Sequence, residues 1–433
     1  MIDIKNFREN PNAYRDNNKK KGRDVKLIDV VLELDEKWRK LKKEGDDLRR
    51  ERNKISEEIN KAKKTREEKT ARELIMKAKE IPAKLRELEE EEKTAYEKLK
   101  KELKKIPTLM EKNVPVGKSD KENVVRKKAG KIPKFNFPLK THVELAENLD
   151  VADFDASAEV AGNGFYYLKK ELALLNQALI HFTIDFMVKK DFVYIEPPLM
   201  VHRKIAEAAE DFAAFEAKIY KVQDEDLYLI PTAEHAILGM MLGKSVPEGK
   251  LPLKFYGYTM CFRKEVGAHG INEKGLWRTH QFNKIEQFIF CKPNDSWKYY
   301  NELKKNSEEI MKKLGLPYRI IESCTGDLGD WKAKGEDIEV WRPTIKDYGE
   351  VMSLSNCVDS QARELGIVGV PRKGERYVLH TLNNTAMATS RIMVAILENF
   401  QQKDGSVKIP KVLQKYMGGK KKIEVKKEKK KGK

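Results

Sequence analysis

Cysteine is scarce in this 433-residue chain. Its four cysteines, Cys261, Cys291, Cys324 and Cys357, include no C-x-x-C pair, which argues against a disulfide scaffold and against a cysteine-based zinc site. Long apolar runs are missing as well. No stretch reaches 18 uncharged apolar residues, and the opening MIDIKNFREN lacks the basic-then-apolar build of a secretory signal. A reduced cytoplasmic protein with no membrane span is therefore expected. Acidic residues are outnumbered, 69 Asp+Glu against 87 Lys+Arg, and the resulting formal charge of +18 favours a polyanionic partner such as nucleic acid. Hydrophobic residues at 40% are too many for a disordered chain, while 36% charged residues exceeds the usual quarter or so and predicts long solvated helices.

The charge pattern locates those helices. Leu27, Val31, Leu34, Trp38, Leu41, Gly45, Leu48, Arg52, Ile55, Ile59 and Ala62 step by four and three with charges nearly everywhere between, a heptad seam. A second seam runs Leu74, Ala78, Ile81, Leu85, Leu88, Glu92, Ala95, Leu99, Leu103, Ile106, with Pro82 expected to kink it. The seamless KKTREEKT (63–70) between them predicts a tip at which two helices of roughly 50 Å reverse, making residues 27–106 an antiparallel hairpin. The competing reading is a parallel coiled coil between two chains. An interrupted pair of similar seams suits self-pairing better.

Residues 111–140 carry Pro115, Gly117, Gly130, Pro133 and Pro138 among many lysines and read as a basic linker. From 141 to 418 the pattern is mixed. Strand-like runs such as KFYGYTMCF (254–262) and KIEQFIF (284–290) alternate with helical ones such as residues 167–187, which predicts an α+β domain on an antiparallel sheet. The lysine-rich end, 419–433, reads as a disordered tail.

Three segments carry chemistry. In FRKEVGAHGINEKGLWRTHQFNKIEQF (262–288) two strand-like runs flank a glycine-bearing loop, as a long hairpin requires. Strand alternation puts Arg278, His280, Phe282, Lys284 and Glu286 on one face, and Arg263 shares a face with Glu265. Guanidinium groups there can grip phosphate, an aromatic ring can stack on a purine, and a carboxylate can accept from a hydroxyl or amine. A solvent-facing charged hairpin is the bland alternative. The second segment, DIEVWRPTIKDYGEVMSLSNCVDSQAR (337–363), holds Glu350 and Ser353. The third, HTLNNTAMATSRIMVAILENFQ (380–401), reads as a strand, a polar turn and an apolar helix with Arg391 near its start.

Together these segments resemble the class II aminoacyl-tRNA synthetases, and within them the seryl-tRNA synthetases, over nearly the whole chain. Class motif 1 is matched by DFMVKKDFVYIEPP, which carries Pro197, motif 2 by the hairpin, motif 3 by the helix holding Arg391, and the T-A-E loop by Thr232, Ala233 and Glu234. The resemblance implies an N-terminal tRNA-binding helical arm (1–110) and a class II catalytic domain (141–418). It implies ATP-dependent activation of L-serine with Mg²⁺ and transfer of serine to the 3′ end of tRNA(Ser), and of tRNA(Sec) where a cell has it, by a homodimer. By the same resemblance Arg263 binds the α-phosphate and the serine carboxylate region, Arg391 the γ-phosphate, and Phe282 stacks on adenine. Glu265 contacts the nucleotide with Arg278 beside it, Glu350 and Ser353 contact ATP and Mg²⁺, and Thr232, Glu234, Glu286, Asn383 and Thr385 line the serine pocket. Asn163-Gly164, Gly335-Glu336 and Ser390 depart from the family's usual Ser-Arg, Thr-Tyr and glycine. His280 and His380 read as hydrogen-bonded scaffold and Cys357 as packing. The alternative reading, a non-catalytic RNA-binding or regulatory relative, would be favoured by missing motif arginines. A carrier-protein aminoacylating relative would be favoured by a lost arm.

Overall fold

The computed structural model describes residues 1–210, 216–265 and 274–425, in two compact units, Met1–Pro107 and Thr108–Lys433. The hairpin glycines Gly267 and Gly270, and the tail from residue 426, lie outside the described residues.

The first unit is built on two long helices, α1 (Lys26–Lys64) and α2 (Glu68–Leu103). They pair antiparallel within one chain. Trp38 meets Tyr96 with ring centroids 5.3 Å apart, and Arg49 reaches Glu89 at 2.9 Å. The reversal is tighter than the polar run predicts: α1 continues to Lys64, and the turn closes with Arg66 at φ 58. Helix α2 runs through Pro82 without interruption. The second seam is buried as spaced at Ile81, Leu85, Ala95, Leu99 and Leu103, with Leu88 and Glu92 half-buried between them. The first seam shifts by one residue near its start, where Ile28 and Asp35 are buried rather than Leu27 and Leu34. Asp35, fully buried, holds Arg8 at 2.8 Å and Arg39 at 2.9 Å. The short helix Ile4–Glu9, which carries Arg8, is thereby tied to α1, and that displaces the seam.

The second unit is an eight-stranded sheet: β1 (Val124–Ala129), β2 (Val193–Ile195), β3 (Leu253–Phe262), β4 (Gln281–Cys291), β5 (Tyr318–Glu322), β6 (Lys334–Arg342), β7 (Asp347–Val358) and β8 (His380–Ala388). Their spatial order is β1-β5-β6-β7-β8-β4-β3-β2, antiparallel except for β2 beside β3. The helices α3 (Lys170–Val188), α4 (Ala233–Met240), α5 (Ser296–Leu314) and α6 (Thr389–Phe400) cover it. The central strand β4 is buried on both faces: Ile285 and Ile289 pack into the cluster that includes Leu175, Leu179 and Ile392, while Phe288 and Phe290 pack with Ile237 and Leu379. Register breaks between Ile338 and Glu339, between Asn356 and Val358, and between Thr385 and Met387 place one additional residue in a strand at each point. Helix α3 is long and apolar enough to cross a bilayer by length and composition, but Leu172, Leu175, Leu179 and Met187 on it are fully buried in this core.

Two expectations need correction. The stretch 111–140 is not all linker, because Val124–Ala129 forms the edge strand β1 against β5. Its basic residues are what a sheet edge uses to stay hydrated, and Arg126 and Lys127 pair with Glu322 at 2.6 Å and Glu308 at 2.5 Å. No turn separates β8 from α6, and the polar Asn383-Asn384-Thr385 run lies inside the strand. It is tolerated there because the amide nitrogens are paired, Asn384 donating to Leu303 O at 2.8 Å and Ser307 Oγ at 2.7 Å and Asn383 to Glu234 Oε1 at 2.8 Å, while Asn384 Oδ1 is buried without a hydrogen-bond partner among the described residues.

Gly45, in the middle of α1, has no conformational need to be glycine. A Cβ there would meet Arg49 Nη1 at 3.6 Å and Leu88 Cδ2 at 3.7 Å, ordinary contacts. Gly45→Ala is expected to stabilise the helical unit by roughly 0.5–1 kcal/mol, seen as a higher midpoint in thermal melts followed by helical circular dichroism. A lower midpoint would show that the seam at Gly45 is closed to a methyl group.

Candidate active site

One pocket on the Phe288 face of the sheet collects residues from four places. The hairpin ends bring Arg263, Glu265, Trp277 and Arg278, strand β4 brings Phe282 and Lys284, strand β7 brings Glu350 and Ser353, and Thr385 and Arg391 come from the β8–α6 junction. The hairpin continues past its strands through Arg263 N donating to His280 O at 2.9 Å, and Glu265 turns the chain at φ 51. Glu265 then pairs with Arg278 at 3.0 Å. The Arg263 guanidinium sits 5.1 Å from the Phe282 ring centroid and donates to Pro231 O. Arg391 donates from Nη1 to Glu350 O at 2.8 Å and to Glu350 Oε2 at 3.2 Å. Partial desolvation in the site would raise the carboxyl of Glu350, whose side chain is still about half exposed, yet Arg391 and Arg263 hold it below its ordinary value. Asp337, which faces Ser353 across the β6–β7 ladder, is instead pushed up to about 7 by burial and by Glu350.

Thr232, Glu234, Glu286 and Asn383 form the buried layer beside this pocket. Thr232 caps α4, accepting from Glu234 N, and its hydroxyl also takes a bond from Lys284 Nζ at 3.1 Å. Lys284 lies 2.6 Å from Glu286 Oε2. Glu234 Oε1 accepts from Gln361 Nε2 at 2.6 Å and Asn383 Nδ2 at 2.8 Å. Burial pushes Glu234 up to about 7, with the neighbouring charges of Glu210 and Glu286 adding to it. Glu286 is likewise raised by burial, against the pull of Lys284. The arrangement has an arginine-lined end suited to a polyanion and a carboxylate-rich end suited to a cation.

Sequence reasoning gave no binding role to Lys284, Gln361, Glu210, Asp337 or Trp277. Lys284 alone carried a signal, since it stands on the same strand face as Phe282 and Glu286. His280 is hydrogen-bonded scaffold and Cys357 is packed in the core, whereas the buried Nδ1 of His380 has no hydrogen-bond partner among the described residues. His280 Nδ1 is 2.8 Å from Arg263 O, and its ring is stacked by Phe165 at 5.1 Å. Burial lowers His380 to about 4, and Cys357 is a buried thiol pushed well up by burial. The departure at Gly164 is used structurally: it has φ +80, and a Cβ there would stand 2.6 Å from His280 Cδ2. Glu336 is held by Lys304 at 2.8 Å, and Ser390 lines the pocket.

A charged hairpin and a strand–helix arginine set on an antiparallel sheet define a class II aminoacyl-tRNA synthetase core. The tRNA synthetase class II core domain family (G, H, P, S and T) matches residues 218–400, and the Seryl-tRNA synthetase N-terminal domain matches residues 1–110. The serine–tRNA ligase of Methanocella arvoryzae is 46% identical over 97% of this chain and 99% of that protein. A crystal structure of seryl-tRNA synthetase from Pyrococcus horikoshii complexed with ATP has a TM-score of 0.92 at 43% identity, covering 99% of this chain and 100% of the other. The cytoplasmic serine–tRNA ligase of Naegleria fowleri in complex with AMP has a TM-score of 0.88 at 32% identity, over 99% of each chain. The chain belongs to the seryl-tRNA synthetase family.

The raised Glu234 has a measurable cost. A carboxyl moved from 4.5 to about 7 by folding is neutral in both states below pH 4.5. It destabilises the fold increasingly as pH rises toward 7, by roughly 3 kcal/mol at most above that. Glu234→Gln keeps the acceptor oxygen and removes the charge. It should raise the melting temperature at pH 8 and change it much less at pH 5. Equal shifts at both values would exclude a buried titrating carboxyl.

Proposed function

We propose that this enzyme activates L-serine with ATP, releasing pyrophosphate, and transfers the seryl group to the 3′-OH of tRNA(Ser), and of tRNA(Sec) where one exists. The observation that carries this reading is the polarity of the site, with Arg263 and Arg391 at one end and Glu234 and Glu286 beside the other. A triphosphate and a zwitterion with a hydroxyl side chain fit such a site in one orientation.

The serine carboxylate is ionised at neutral pH and attacks the α-phosphorus directly, so no general base is required. The protein's contribution is to hold two anions together and to neutralise the charge that develops. Arg263 spans the α-phosphate and the carboxylate, Arg391 takes the γ-phosphate, Phe282 stacks on adenine, and Glu265 contacts the nucleotide with Arg278 bracing it. Glu234 receives the ammonium group, whose charge relieves the crowding of acids there, and Glu286 accepts from the substrate hydroxyl, with Thr232, Asn383 and Thr385 closing the pocket. The donor set fits Mg²⁺ bound with ATP: Glu350 and Ser353, with Asp337 beside them, offer the few oxygens that this ion takes from protein when phosphates and water supply the rest. Bound there, Mg²⁺ would shield the phosphates from one another.

The helical unit is the tRNA-binding element in this reading, reading RNA shape through its basic surface. The exposed apolar side chains of Val188, Val193, Leu199 and Met200 around the β2 edge support a homodimer through the Pro197 segment. The cytoplasm is the compartment in which the substrates meet. The presence of both motif arginines in one pocket disfavours the non-catalytic alternative.

Serine-dependent ATP–pyrophosphate exchange, run with each of the twenty amino acids, tests the reading. Exchange with serine alone supports it, and exchange with another amino acid or with none overturns it.

Two predictions refine it. Glu286→Ala should cut kcat/KM for serine by about two to three decades, the loss of a charge-assisted hydrogen bond of some 3–4 kcal/mol, while lowering alanine activation far less. Equal losses would move Glu286 out of the serine pocket. Replacing residues 30–104 by a short turn should leave serine adenylation largely intact, because every site residue lies in the second unit, and should abolish tRNA charging. In the intact enzyme KM for tRNA should rise steeply with salt while KM for serine does not. Near-normal charging by the shortened protein would remove the arm from tRNA binding.

A further inference from the structure

Arg391 is held by more than Glu350. Its Nε donates to the backbone oxygen of Trp277 at 3.2 Å, and its guanidinium carbon is 5.5 Å from the centroid of the Trp277 ring. A second guanidinium, that of Arg342, lies closer to the same ring, at 4.2 Å. Arg342 is itself fixed by Glu398, a fully buried carboxylate, at 2.8 Å. On the other side of Glu398, His142 Nδ1 stands 3.3 Å away, and His142 Nε2 accepts from Leu276 N at 3.2 Å, next to Trp277 in the chain. The loop is therefore anchored to the same carboxylate that anchors the arginine beneath its indole.

Space for the indole comes from one residue. A Cβ on Gly349 would lie 2.3 Å from Trp277 Cζ2 and 2.7 Å from Cη2, closer than any Cβ tolerates, and 3.4 Å from Arg342 Cδ. The Gly349 backbone is ordinary strand, paired with Val340, so its conformation does not call for glycine. What calls for it is the ring. Trp277, Gly349 and Arg342 thus form one interlocking unit, and Trp277 and Arg391 both line the pocket.

We propose that Trp277 is a positioning residue for the nucleotide end of the site: lodged against Gly349 and backed by Arg342, it fixes the Arg391 guanidinium for the terminal phosphates of ATP. The inference rests on the reading that ATP occupies this pocket. With Nε committed to Trp277 O and Nη1 to Glu350, the remaining Nη2 edge of Arg391 has no protein partner among the described residues and is left for an anion.

The test is ATP–pyrophosphate exchange with KM measured separately for ATP and serine. Trp277→Leu should raise KM for ATP about tenfold, the scale of a lost cation–π contact, and leave KM for serine within twofold. Trp277→Phe, which keeps a flat ring, should restore most of the ATP affinity. Gly349→Ala should reproduce the Trp277→Leu effect in the wild-type background and do little in Trp277→Phe, where the ring is too small to clash. A KM for ATP within twofold of wild type in both Trp277→Leu and Gly349→Ala overturns the proposal, as does a parallel rise for ATP and serine. Should Trp277→Leu fail to fold, the Gly349→Ala and Trp277→Phe pair decides alone. A wild-type enzyme without serine-dependent exchange would instead overturn the reading of the pocket on which this rests.

Discussion

Glu234 and Glu286 are buried carboxylates close enough to oppose each other's ionisation, and Glu210 adds a third charge to the same region. Ionised carboxylates away from water must be compensated nearby, and much of the surrounding structure supplies that compensation. Lys284 is set against Glu286, His235 stands 3.4 Å from Glu210, and Gln361 and Asn383 turn their amides to Glu234. Thr381 in turn donates to Gln361 Oε1 at 2.6 Å, so the amide is aimed as well as present. These partners come from β4, α4, β8 and the segment after β7, which is why the sheet has to be assembled before the pocket exists.

The opposite end of the pocket uses a different pair of acids in a different way. Glu350 is kept ionised by Arg391 and Arg263, while Asp337 a strand away is held near neutrality by burial. Two carboxyl groups with separated protonation behaviour, next to a pair of guanidinium groups, leave a local field that a polyanion with a divalent counter-ion can complete. The two ends are polarised in opposite senses, and substrate orientation follows from that polarity rather than from shape alone.

The sequence revealed the strands and helices well because their patterns were strong. The heptad seams located α1 and α2, and the apolar runs at 254–262 and 284–290 located β3 and β4 to within three residues at each end. It failed where tertiary contacts overrode local composition. Residues 124–129 look like linker and become an edge strand because β5 offers them a partner, and Asn383-Asn384 look like a turn because nothing local shows that Glu234 on α4 will accept from the Asn383 amide and α5 from the Asn384 amide. That Phe282, Arg263 and Arg391 would gather in one pocket was legible through the resemblance of their motifs to the synthetase family. Trp277, Gly349 and Arg342 were not, since their relation is a fit between side chains from separate strands and loops, which no single segment encodes.

The extra residues in β7 and β8 have an evolutionary consequence. Strand side chains alternate faces, so adding or removing one residue upstream of a bulge would exchange every pocket side chain beyond it for its outward neighbour. Glu350 and Ser353 flank one such point, and Thr385 stands at another. Natural length variation should therefore avoid β4, β7 and β8, even where individual side chains change. It should collect instead in the connections between strands, such as the turn between Arg342 and Asp347, where an added residue alters no register.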